Sequence, residues 1–148
     1  NIIDIINRSI DFIKMSSKNK ININANHEKL IINGDAEQLN RVFINLIKNS
    51  EEAFLDLVKK TPNFKGKIDI EIISNNDYIV VRLTDNGTGI SDTKKVMTPY
   101  FTTKKKGTGL GLPIVSKIIN EHSGDFLIKN KKDGNGVDIE ISFPTINA

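Results

Sequence analysis

Ile2, Ile3, Ile6, Ile10 and Ile13 recur at three- and four-residue intervals, which places them on one face of an amphipathic helix ending before Ser16. Ile21 and Ile23 then alternate with Asn, and Leu30, Ile31 and Ile32 follow a polar break; both stretches predict short strands. Asp35 with Gln38 three residues on is a capping-box-like helix start, the carboxylate accepting from free first-turn amides. Leu39, Val42, Phe43, Leu46, Ile47, Phe54, Leu57 and Val58 sustain a helical stripe from there to Lys60, the longest helix expected. Pro62 to Gly66 breaks it. Ile68, Ile70 and Ile72 alternate, Asn75 and Asn76 supply a turn, and Tyr78 to Thr84 is the partner strand. Asp85 to Gly111 has little apolar periodicity and is crowded with Gly, Thr and Lys, as functional lid loops are. Pro113 fits the first turn of a following helix, where its missing amide is no loss. Ile114, Val115, Ile118 and Ile119 give that helix a buried face, and Phe126, Ile128 and Val137 to Phe143 end the chain as two strands joined by a Gly134/Gly136 turn.

The fold class this predicts is α+β: a two-layer α/β sandwich with a mixed, mostly antiparallel sheet and about three helices on one face. At 148 residues the chain suits a single domain spanning 1–148, without internal repeat or linker. Asn1 lies directly inside an apolar-periodic segment, so a domain boundary with further chain before it is expected.

Composition changes this picture mainly by exclusion. The chain has no cysteine, which removes disulfides, thiolate zinc sites and a cysteine nucleophile. Its chemistry falls to carboxylates, amides, lysines and backbone. A net charge of +3 is too small and dispersed for a nucleic-acid groove. No apolar run approaches the roughly 20 residues of a membrane helix, and the N-terminus lacks signal-peptide order, so no membrane contact by this segment is expected.

Three constellations carry candidate chemistry. Asn45 and Asn49, four apart, stack on one helix face beside the apolar stripe; their amide oxygens are neutral ligands suited to Mg²⁺ already largely neutralised by a nucleotide's phosphates, although surface amides in an Asn-rich chain look the same. Asp85-Asn86-Gly87-Thr88-Gly89-Ile90 follows directly on a strand. A carboxylate there can accept from an exocyclic amine while glycines let backbone approach a flat base; an ordinary tight turn uses the same residues. A calcium loop is excluded, because alternating acidic ligands and a terminal Glu are missing. Gly107-Thr108-Gly109-Leu110-Gly111-Leu112 leads into a helix whose first-turn amides favour an anion. The preceding lysines, Lys104, Lys105 and Lys106, argue against a dinucleotide fold, which wants a strand there, and the P-loop and eukaryotic-type kinase segments are absent.

As an ordered set these segments resemble the sensor histidine kinases. Asn45 to Ala53 is similar to their N box, Asp85 to Ile90 to the G1 box, Pro99 to Lys104 (Pro-Tyr-Phe-Thr-Thr-Lys) to the F box, and Gly107 to Leu112 to the G2 box. The resemblance covers essentially the whole chain and leans toward the nitrogen-regulatory class of sensors. It implies the Bergerat ATP-binding fold, shared with gyrase, Hsp90 and MutL, with ATP and Mg²⁺ as cofactors. By it, Asp85 meets the adenine amine, with Gly87, Gly89, Ile90 and Thr103 around the nucleotide. Gly107, Thr108, Gly109, Leu110, Gly111 and Leu112 receive the phosphates. Asn49 is the main Mg²⁺ ligand with Asn45 assisting, and Ser91 to Lys106 is a lid from which Lys104 reaches phosphate oxygens.

The position of Asn45 holds a water-activating glutamate in the related ATPases, and an amide cannot take that proton. The resemblance therefore implies that the γ-phosphoryl passes to a histidine on a separate dimerisation domain, absent from this chain, and onward to a response regulator. It also implies a cytoplasmic location, with the parent protein open to membrane anchorage. Ser50 stands where Ala is commoner and Pro113 where Ala is usual. His27-Glu28 has a superficial likeness to the acceptor pair but lacks its proline and lies between strands. His122 is expected to interact favourably with the end of its helix. A stand-alone serine kinase of the anti-sigma type and a non-enzymatic interaction module of the same fold are the rival readings.

Overall fold

The computed structural model describes residues 1–15, 17–89, 111–132 and 136–146. Its elements are α1 (Ile2–Lys14), β1 (Lys20–Ala25), α2 (Ala36–Lys60), β2 (Lys67–Ser74), β3 (Tyr78–Asp85), α3 (Gly111–Glu121), β4 (Asp125–Asn130) and β5 (Val137–Pro144). The helix starts follow side-chain capping. Asn1 accepts from Ile3 N at 3.1 Å, and Asp35 Oδ1 accepts from Gln38 N at 3.1 Å, each satisfying an amide that has no partner inside its helix. Pro113 sits in the first turn of α3, as expected.

The five strands form one sheet in the order β1-β2-β3-β5-β4. β1 and β2 run parallel, joined through α2, and the other neighbours are antiparallel. Alternation along the strands sends Ile68, Ile70, Ile72, Ile79, Val81, Leu83, Ile139, Ile141 and Phe143 to one buried face. There they join the apolar stripes of the three helices in one core. The opposite face carries Glu71, Arg82 and Glu140, the last two 3.4 Å apart as an exposed ion pair that adds little stability.

One expected strand is not formed. Leu30 to Ile32 takes no part in the sheet. Its backbone serves α1 instead: Leu30 O accepts from Ile2 N at 2.9 Å, and Leu30 N donates to Asn1 Oδ1 at 3.1 Å. The Leu30 side chain still enters the core, which is why its apolar run has the look of a strand.

His122 does more than face a helix end. Asp35 N donates to His122 Nε2 at 2.9 Å, so that nitrogen is an acceptor and the ring proton resides on Nδ1, which lies 2.8 Å from Ile118 O. The imidazole thus ties the last turn of α3 to the first turn of α2.

The chain leaves α3 through a Schellman turn, with Ser123 N bonded to Asn120 O and Gly124 N to Ile119 O. The left-handed position is held by Ser123 at φ 60°, where a Cβ is unfavourable. Ser123 is exposed and contributes little packing. Ser123→Gly is therefore expected to raise stability by about 0.5–1 kcal/mol, seen as a higher urea midpoint at unchanged slope; a lower midpoint would show that glycine's extra unfolded-state freedom outweighs the relief.

Candidate functional site

The alternation that buries Ile79, Val81 and Leu83 also turns Asp85, the last residue of β3, into the interior, where it is 4% exposed. A buried carboxylate must be partnered, and this one receives three donors. Oδ1 accepts from Gly87 N at 3.0 Å and Val137 N at 3.1 Å. Oδ2 accepts from Ser50 Oγ at 2.5 Å. The bonds come from the turn after β3, the first residue of β5 and the middle of α2, so three separate stretches fix one carboxylate. Among the described residues no buried side-chain nitrogen or oxygen lacks a partner.

The glycines around Asp85 permit close approach. A Cβ on Gly87 would stand 3.0 Å from Ala53 Cβ and 3.3 Å from Asp85 Oδ1, so this turn lies directly against α2. Gly89 adopts φ +78°, a conformation glycine takes without a Cβ penalty. Gly136, at φ +115°, brings the start of β5 so near that a Cβ would be 2.0 Å from Asp85 O. Asn86, between the aspartate and the glycines, has a structural task instead: its Oδ1 accepts from Lys67 N at 2.8 Å and its Nδ2 donates to Lys65 O at 3.0 Å. It holds the turn to the start of β2.

Asn45 and Asn49 are half-buried on α2. With Ala53 they form a single i, i+4 row. Ala53 is the member that meets Gly87, so the two amides continue along the helix from the Asp85 turn, about 6 and 12 Å further on at 1.5 Å per residue. Gly111 and Leu112 open α3, and a Cβ on Gly111 would meet nothing within 4 Å. Ile90, Thr103, Lys104, Gly107, Thr108, Gly109 and Leu110, with the expected lid Ser91 to Lys106, lie outside the described residues.

Sequence reasoning missed Ser50, Gly136 and Val137 as parts of this site. The one available signal was Ser50 itself, a hydroxyl flanked by Ile47 and Phe54 on a helix face otherwise given to the core. Gly136 carried none beyond its place in a turn.

A buried carboxylate at a strand end, glycines packed against a helix and a row of amides on that helix suit an adenine nucleotide. Residues 34–147 match the family of histidine kinase-, DNA gyrase B- and HSP90-like ATPases. The chain belongs to this family, as an ATP-binding catalytic domain of the sensor histidine kinase type. Sporulation kinase A of Bacillus subtilis (strain 168) is 38% identical over 130 residues, 85% of this chain and 20% of that protein. A putative NtrY-like sensor histidine kinase of Rickettsia conorii (strain ATCC VR-613 / Malish 7) is 40% identical over 111 residues, 74% of this chain and 17% of that protein. The catalytic domain of histidine kinase ThkA, solved without nucleotide, superposes with a TM-score of 0.81 at 28% identity, covering 98% of this chain and 95% of that one.

The chain spans about a fifth of the length of these curated relatives. Their near-equal identities give no specific support to the nitrogen-regulatory class. The comparisons favour the kinase over the anti-sigma and non-enzymatic readings. No helix among the described residues is long and apolar enough to cross a membrane.

Proposed function

We propose that this domain presents the γ-phosphoryl of Mg-ATP to a histidine on a separate dimerisation domain of the same parent protein, from which it passes to a response-regulator aspartate in the cytoplasm. The observation that carries this reading is the three-donor hold on buried Asp85. Such a carboxylate can accept from an adenine amine with no rearrangement of its own. Gly87 and Gly89 would border the base, and Ile90 and Thr103 would complete its surroundings. The amides of Gly107 to Gly111, with Leu112 behind them, would receive the phosphates at the start of α3, and Lys104 would add charge.

The residues present fit a magnesium ion held with the nucleotide. Asn45 and Asn49 share one half-buried face, and among the described residues no trio of His, Asp or Glu forms a cage of its own. Two neutral amide oxygens suit an ion that takes most of its ligands from phosphate and water. Bound there, it would supply charge neutralisation at the phosphates. Asn49 would hold it and Asn45 assist; neither amide can act as a base toward water, so the protein positions rather than hydrolyses.

The test is phosphotransfer from labelled ATP. Alone, the chain is expected to bind ATP and stay unlabelled, and a supplied histidine-bearing dimerisation domain is expected to gain acid-labile phosphate. Asn49→Ala should reduce that transfer by roughly a hundredfold, about the loss that follows removal of one well-placed polar group, while leaving the fold intact. Acid-stable phosphoserine on a protein partner, or no ATP binding at millimolar concentration, would overturn the proposal.

A further inference from the structure

Only three polar side chains among the described residues are fully buried: Ser9, Ser50 and Asp85. Ser9 uses its hydroxyl as helical serines commonly do, bonding Ile5 O four residues back at 3.0 Å while reaching Asn40 Oδ1 at 2.7 Å. Ser50, 3% exposed, gives its hydroxyl to Asp85 Oδ2 at 2.5 Å. Its position follows from its neighbours: Ala53, one turn on along α2, is the residue against which Gly87 packs, so the helix meets the end of β3 at this level.

The two oxygens of Asp85 are held differently. Oδ1 accepts two backbone amides, from Gly87 and Val137, which fill its in-plane lone pairs. Those bonds anchor one oxygen but leave the carboxylate able to rock about it. The Ser50 bond fixes the second oxygen and hence the plane of the group. It also takes only one of the two lone pairs on Oδ2, so the other is the acceptor left for a ligand.

We infer that Ser50 is a positioning residue for nucleotide recognition: by donating to Oδ2 it sets the plane of the Asp85 carboxylate, and so determines how strongly the site prefers a purine that carries an exocyclic amine. This rests on the assignment of Asp85 to the adenine amine. Ser50 acts through Asp85 and does not touch the base. Its influence is therefore confined to ligands that use the carboxylate.

Two ligands separate this role from a structural one: ATP, and purine riboside 5′-triphosphate, which has the same phosphates and sugar but no amine. Titration calorimetry with Mg²⁺ would be run on the wild-type chain, Ser50→Ala, Ser50→Cys and Asp85→Asn. The wild type is expected to prefer ATP. Ser50→Ala, which removes one atom and keeps a good helix former, is expected to weaken ATP by about tenfold, the scale of one hydrogen bond to a charged group, and to leave the amine-free analogue unchanged. Ser50→Cys, similar in shape but a weak donor, should show the same selective loss and carries the test if the alanine variant does not fold. In the Asp85→Asn background, Ser50→Ala should add nothing.

Equal weakening of both ligands would assign Ser50 a packing role and overturn the inference. So would unchanged or tighter ATP binding, the latter showing that the hydroxyl competes with the amine for Oδ2. A wild-type chain that binds both ligands equally would remove the Asp85 assignment as well, whereas a wild-type preference that survives in Ser50→Ala would overturn only the role of Ser50.

Discussion

Asp85→Asn is expected to leave the chain folded and to weaken ATP binding by roughly a hundredfold or more, because a site built around a hydrogen bond discriminates strongly once that bond cannot form. The carboxamide oxygen can take the place of Oδ1 and keep the Gly87 and Val137 amides satisfied. The new NH₂ group then faces Ser50, whose hydroxyl can turn from donor to acceptor. Every protein bond is replaceable. What cannot be replaced is the acceptor for a ligand amine, since donor would meet donor. Asp85→Ala is different: it strips partners from two backbone amides and a hydroxyl at a buried point, and should cost roughly 2–4 kcal/mol of stability. Calorimetry for binding and urea denaturation for stability check both. Unimpaired ATP binding by a folded Asp85→Asn chain would move the adenine site elsewhere.

Gly136→Ala should rival these effects without touching a ligand. The residue sits at φ +115°, and its Cβ would be 2.0 Å from the Asp85 carbonyl oxygen. Backbone strain at such a φ costs on the order of 1–3 kcal/mol, and the steric conflict with rigid backbone adds to it. We expect a loss of roughly 3–5 kcal/mol in urea denaturation, the sum of the strain and overpacking terms. Any shift that relieves the clash pulls Val137 N from Asp85 Oδ1, so ATP affinity should fall in the fraction that remains folded. A variant within about 1 kcal/mol of wild type would mean that β5 can retreat from β3 at no cost, contrary to the packing described.

How much of this was legible in the sequence depended on the range of the interaction. Periods of three to four residues gave α1 and α2 their limits, and the Asp35–Gln38 spacing gave the start of α2, because these rest on contacts within a turn. Asp85 was legible as chemistry because it stands directly after a strand and before a run of glycines. Leu30 to Ile32 misled because three apolar residues announce burial but not the backbone partner, which here is Asn1 across the fold. Ser50 and Val137 reach Asp85 over separations of 35 and 52 residues, and no local pattern encodes which donor will arrive. His122 was read from its own helix alone, whereas its second partner, Asp35, lies 87 residues away.

Those separations bear on how the molecule assembles. Asp85 cannot gather its donors until α2 has docked on β3 and β5 has closed against it, contacts that must first overcome the entropy of long chain loops. Until then the carboxylate is either hydrated outside the core or buried short of partners, and the second state is costly. The amides of Gly87 and Val137 should therefore exchange their hydrogens only when the whole sheet opens. A partly folded form of this chain should have no half-working site. Recognition competence and native structure should rise and fall together, in a single transition.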